Sequence, residues 1–200
     1  MSHPVSADNF VRDARPGDAA DLARIQVGRW RAGYPGLVPG PVLAEIISID
    51  NERRCGEHWA ASLASPPSSR HRVLVAVGVD PGQAGADRRV AGFASFGPAT
   101  DPGRWPGTDA ELYELCVDPR QAGRGHGSRL LNAAAVTMAE DGFGTAVAWV
   151  LEQDSTARRF LESAGWAADG ARRSLDMGVA VPTIRLHTAL AAPVQPEGGG

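Results

Sequence analysis

The chain has 200 residues, 43% of them hydrophobic and 22% charged, with a formal net charge of −3. That apolar share fills the core of one ordinary domain, whereas the slightly acidic balance excludes a general nucleic-acid binder, which needs a basic field to displace counterions from phosphates. Lysine is absent and all 20 basic residues are arginine, which excludes a phosphate loop ending in Gly-Lys-Ser/Thr and any lysine nucleophile or Schiff base.

The N-terminus lacks the basic region and apolar run of a signal peptide, and no later run approaches the roughly 20 apolar residues of a membrane helix. Cys55 and Cys116 stand far apart with no companions at metal-ligand spacing. Neither a disulfide framework nor a metal site is expected, and a reducing cytoplasm is. Phe10 to Arg15 reads as an edge strand. Asp18 then stands as an N-cap ahead of Leu22, Ile25 and Arg29, with Ala23, Val27 and Trp30 offset by one, which is the spacing of an amphipathic helix. Pro and Gly between Tyr34 and Pro41 break it, and Val42 to Leu63 reads as one further helix stopped by Ser65-Pro66-Pro67.

Arg72 to Val79 and Arg89 to Phe96 read as two strands of a hairpin joined by the Pro/Gly-rich stretch Asp80 to Asp87. Gly97 to Thr108 is a loop. A strand follows from Glu111, then a glycine loop, a helix to about Asp141 stopped by Gly142, a strand Thr145 to Leu151, and a helix capped by Asp154 and closed by Gly165. Strand-like pieces near Trp166 and over Ile184 to Leu190 complete the order. Together they predict one α/β (α+β) domain over residues 1–190, a mixed twisted sheet flanked by helices, with 191–200 as a frayed tail.

The segment Glu111 to Leu131 carries the most chemistry. Gly123, Gly125 and Gly127 let the chain pass close to a ligand and aim its amides inward, and the following helix adds the positive end of its dipole. A phosphate or pyrophosphate suits that cradle, and Arg120, Arg124 and Arg129 supply guanidinium forks around it. His126 sits between two glycines, where its backbone rather than its ring is expected to serve.

Val117-x-Pro119 followed by Gly123-Arg124-Gly125-His126-Gly127 and Leu130-Leu131 resembles the acyl-CoA-binding motif of the GNAT superfamily of N-acetyltransferases. Asp154-x-x-Ala157-x-x-Phe160-Leu-Glu-Ser-Ala-Gly165-Trp166 resembles that family's second motif, and Trp30-Arg31-x-x-Tyr34-x-Gly36-Leu37 is similar to its first-helix region. The resemblance implies a sheet that splays after its fourth strand, with pantetheine in the gap pairing near Cys116 and Val117. The diphosphate would lie on residues Ala122, Gly123, Arg124, Gly125, His126, Gly127 and Ser128, and Asp154 beside the pantetheine. It further implies acetyl-CoA as cosubstrate, no metal, and an amine acceptor, a small molecule or a peptide N-terminus. A homodimer is compatible with it; nucleic acid and membrane are not expected partners.

Direct transfer from a thioester to an amine needs a base for the ammonium and a proton or a stabilising group for the departing thiolate. Glu111, at the start of the strand leading to the loop, is the first choice of base and Glu114 the alternative. On a regular strand the two face opposite sides unless a bulge intervenes. The family's frequent acid, a tyrosine after Phe160, is Leu161 here, leaving Tyr113 and Tyr34 as replacements. Ala122 stands where the family commonly has Arg or Gln, and Asp154 where it has Asn, which removes an amide donor. Trp30, Tyr34 and Trp105 are placed around the acceptor, whereas Trp59, Trp149 and Trp166 follow core patterns. Two other readings are a non-catalytic acyl-CoA sensor, prompted by Leu161, and a dinucleotide-dependent oxidoreductase using Gly123-x-Gly125 with Glu152 on a ribose.

Overall fold

A seven-stranded sheet forms the centre of the computed structural model, which describes residues 9–79 and 88–191. The strands are β1 (Phe10–Asp13), β2 (Arg72–Val79), β3 (Arg88–Pro98), β4 (Asp109–Val117), β5 (Thr145–Leu151), β6 (Ala167–Asp176) and β7 (Ala180–Ala189). They lie in the order β1-β2-β3-β4-β5-β7-β6. Only β4 and β5 pair parallel; every other neighbouring pair is antiparallel. The doubly wound parallel sheet required by the oxidoreductase reading is therefore not the sheet these residues form.

Among the described residues five α-helices accompany the sheet: α1 (Ala19–Gly33), α2 (Gly40–Ile46), α3 (Ile49–Ala64), α4 (His126–Glu140) and α5 (Ser155–Ser163). On one face α4 lays Leu130, Leu131, Ala134 and Met138 against Ala94, Phe96, Ala110, Leu112 and Ala146, as its sequence spacing predicts. On the other face Leu22, Ala23 and Ile25 of α1 and Trp59 of α3 cover Val75, Val90, Phe93 and Cys116. Trp59 meets Phe93 edge-on at 5.1 Å between centroids, a geometry that aligns the ring quadrupoles favourably.

Two expectations about the N-terminal helices need correction. The stretch Val42 to Leu63 is not one helix: the chain breaks at Ile47 and Ser48, and the Ser48 hydroxyl accepts from the Asn51 amide at 3.1 Å to start α3. An internal N-cap outweighs continuous helical spacing. Asp18 precedes α1 but does not cap it with its side chain, because Arg12 holds both carboxylate oxygens at 2.7 and 2.9 Å and the Arg15 amide donates at 2.6 Å. Asp154, by contrast, caps α5 as expected, accepting from the Ala157 amide at 3.0 Å. The Asp80 to Asp87 connector lies outside the described residues, as does the tail beyond Ala191. Among the described residues no helix is long and apolar enough to cross a membrane.

Candidate active site

β4 is bonded to β3 along its length but to β5 only through Asp109, Ala110 and Glu111. Beyond Glu111 the two parallel strands part, because β5 continues with β7 as its only partner over Ala148 to Leu151. One edge of β4 is thereby left open from Leu112 to Val117. The Asp118 amide donates to Ala91 of β3 at 2.8 Å, and since main-chain groups alternate along a strand, Val117 and Leu115 aim theirs into the gap.

At the end of this edge the chain enters the glycine loop. Gly125 is left-handed with φ of 75° and forms the N-cap of α4, with Gly123 at 76° before it, a conformation that costs any other residue about 1–2 kcal/mol. Among the described residues the amides of 123 to 128 donate to no backbone carbonyl; the first to do so is Arg129, to Gly125 at 3.1 Å. Six amides without a backbone partner thus lie in the loop at a helix N-terminus, which is the chemistry of an anion site. The arginines around it hold the loop itself. Arg129 Nη2 donates to the Arg124 carbonyl at 2.7 Å and Arg124 Nη1 to Gln121 at 2.8 Å, while Arg120 and Arg24 both bond Asp118. Burial opposes ionisation of Asp118, but those two guanidinium groups outweigh it and hold the carboxyl well below the ordinary range. The His126 ring is 2% exposed and packs towards β2, where burial and then Arg129 and Arg124 lower its pKa. It is a core imidazole, and only its main chain belongs to the loop.

The two glutamates share a face after all. A bulge places Tyr113 between the pairs Phe96↔Leu112 and Ser95↔Glu114, and this extra residue turns Glu114 to the side that Glu111 already faces. Glu111, 7% exposed, is the last β4 residue paired with β5 and so stands at the apex of the gap. Burial and then Asp101 raise its pKa, against the Thr100 amide, Arg173 and Arg185. Asp101 accepts from the Trp149 indole and from Arg185, each at 2.8 Å, and Arg173 lies over the Trp149 ring at 4.2 Å. Trp149 therefore lines this charged cluster and is not a core residue as its strand pattern predicts, because its N–H finds a carboxylate on that side. Trp59 and Trp166 are buried as expected.

Glu114 is half-buried beneath α1. Its Oε1 accepts from Gln26 at 2.6 Å, and Gln26 in turn accepts from the Trp59 indole at 2.9 Å. Burial pushes Glu114 up to about 7 despite the Gln26 and Cys116 hydrogen bonds. A carboxyl raised from about 4.5 stabilises the fold fully below that pH and stops doing so as pH rises through 7. Glu114→Gln is accordingly expected to gain about 2 kcal/mol relative to the parent between pH 4.5 and pH 8, read from urea unfolding at both; a pH-independent difference would contradict the shift.

Burial holds both tyrosines in the phenol form. Tyr113 donates its hydroxyl to the Pro98 carbonyl at 2.7 Å, and burial followed by Glu111 pushes it up to about 12. Tyr34 stacks on Trp30 at 6.5 Å, and burial pushes it up to about 12 against the opposing charge of Arg29. Leu161 is buried in the α4-side core. Tyr34 packs with Leu37, Val38, Leu151 and Val181, and beside them opens an apolar depression of about 320 Å³ lined also by Pro39 and Pro182. Trp105, 76% exposed, is no part of this wall. Sequence reasoning did not find Asp101, Arg173, Arg185, Gln26 or Arg29: the partners of Gln26 and Arg29 lie 33 to 125 residues away in the chain, and Asp101, in the loop after β3, meets Arg173 of β6 and Arg185 of β7.

The family model for the GNAT acetyltransferase family matches residues 49–166, and the chain belongs to that family. It is 30% identical over 144 residues, 72% of either chain, to the uncharacterised N-acetyltransferase YuaI of Bacillus subtilis. Its fold is similar to the PaiA N-acetyltransferase of Thermoplasma acidophilum in complex with coenzyme A, with a TM-score of 0.67 and 18% identity over 91% of this chain and 99% of that one. It is also similar to YncA of Salmonella typhimurium with its cofactor acetyl-CoA, with a TM-score of 0.63 and 18% identity over 96% of this chain and all of that one. The protein is thus an acyl-CoA-dependent N-acetyltransferase. The family match begins after α1 and α2, so Gln26, Arg29 and Tyr34 lie upstream of it.

Proposed function

We propose that the enzyme transfers the acetyl group of acetyl-CoA by direct attack of a primary amine. The observation that carries this is the continuity of the open β4 edge with the unspent amides of the glycine loop. The pantetheine arm continues the sheet beside Cys116 and Val117, and the diphosphate rests on Ala122 through Ser128. The thioester then lies near the apex of the gap, where Glu111 takes the ammonium proton directly or through one water. The nitrogen forms its bond to the carbonyl carbon, the carbon–sulfur bond breaks, and the thiolate leaves, taking through water the second proton that the nitrogen gives up on becoming an amide. Tyr34, its phenol pushed up to about 12 by burial, can donate a hydrogen bond to the sulfur as charge develops there. Glu114 is the second choice of base, favoured by a pKa close to neutrality.

The apolar depression next to Tyr34 supports an acceptor whose amine carries an apolar substituent. In a panel of alkyl and aryl amines, polyamines and peptides assayed with acetyl-CoA, turnover is expected with the highest kcat/KM for apolar primary amines. The absence of lysine leaves no side-chain amine on the enzyme to give background signal. Tight CoA binding without product from any amine would favour the sensor reading.

A further inference from the structure

We propose that Arg29 is a binding residue for the pantetheine arm of the acyl donor, its guanidinium donating to an amide carbonyl of the arm as it crosses the gap. The inference rests on the placement of the arm argued above. α1 packs on the β3 and β4 side of the sheet, whereas Asp154 follows directly on β5, its amide bonded to the Leu151 carbonyl at 2.9 Å. Arg29 Nη2 reaches Asp154 Oδ2 at 2.7 Å, so this ion pair spans the opening between the parted strands. The charge of Arg29 also reaches the Cys116 thiol on β4.

The position is built rather than incidental. A Cβ on Gly33 would stand 1.6 Å from Arg29 Nη1 and 2.7 Å from its Cζ, so the guanidinium occupies space that only glycine leaves. The Tyr34 ring, 5.6 Å from Cζ, bounds it on another side. Asp154 spends Oδ1 on the α5 cap and Oδ2 on Arg29, and as a carboxylate it has no hydrogen to give a ligand. Its ionic grip instead orients a group with five N–H donors, of which one is engaged by Asp154. An amide carbonyl buried in the gap needs a donor on the side away from β4, and Arg29 is the side chain in place to supply it.

Three proteins, the parent, Arg29→Met and Gly33→Ala, are compared by calorimetry with two ligands. One is CoA; the other is adenosine 3′-phosphate 5′-diphosphate, which keeps the diphosphate and lacks the arm. Arg29→Met is expected to bind CoA about tenfold more weakly, the worth of one hydrogen bond from a charged donor, with unchanged affinity for the truncated ligand. Gly33→Ala displaces the guanidinium without deleting it and introduces a better helix former, so it reports the same loss even if Arg29→Met does not fold. Equal weakening for both ligands, or unchanged CoA affinity, overturns the assignment. A parent protein that binds neither ligand refutes instead the diphosphate cradle on which it rests.

Discussion

Gly125→Val is expected to weaken coenzyme A binding by about 30- to 150-fold, roughly 2–3 kcal/mol, in a protein that remains folded. A β-branched residue is strained at a φ of 75°, so the loop relaxes and turns its amides away from their common focus. Little core packing is involved, because residues 123–125 are exposed, and the expected fall in Tm is a few degrees. Gly127→Leu should act in the same direction by another route. Its Cβ would come to 3.3 Å from the Phe160 ring, pushing the first turn of α4 from α5 and with it the donors of residues 126 to 128. Calorimetry with CoA and circular dichroism on the same samples decide the matter: full affinity in a folded Gly125→Val protein removes the anion cradle from the account.

Glu111→Gln is expected to lower kcat/KM by about 10²- to 10⁴-fold, the usual worth of a positioned base, while leaving CoA affinity unchanged. A base must be ionised to accept a proton, so in the parent enzyme kcat/KM rises with pH and levels off once the carboxylate is formed. Burial and Asp101 raise the pKa of Glu111, which sets that limb above the ordinary carboxylate range. The limb should vanish in Glu111→Gln. A limb centred near 7 that survives in Glu111→Gln and is lost in Glu114→Gln would transfer the role to Glu114. Activity and limb intact in both variants would exclude either carboxylate as the base.

Local chemistry carried most of what the sequence made legible. The inner face of α4, the Asp154 cap and the glycine loop each depend on residues within a few positions of one another, and all three are where their spacing put them. Two corrections arise where a partner outside the element competes for a side chain. Asp18 has the makings of an N-cap, yet the Arg12 guanidinium on β1 takes both of its oxygens. Trp149 alternates like a core residue, yet Asp101 in the loop after β3 offers its indole an acceptor. The bulge at Tyr113, which decides how two glutamates are aimed, exists only as a mismatch between β3 and β4, and one strand read alone does not contain it. Arg29 and Asp154, separated by 125 residues, are beyond any local pattern.

The brevity of the β4–β5 seam has a mechanical consequence. Three paired residues couple the four strands from β1 to β4 with the trio β5, β7 and β6, and the remaining length is a notch that an extended molecule with alternating amides can lace shut. The acyl donor would then act as a temporary eighth strand, and occupancy would govern how firmly the two halves move together. Amide hydrogen exchange should register this as slowed exchange at residues 112–117 in the loaded enzyme, so the substrate would double as a fastener of the molecule that consumes it.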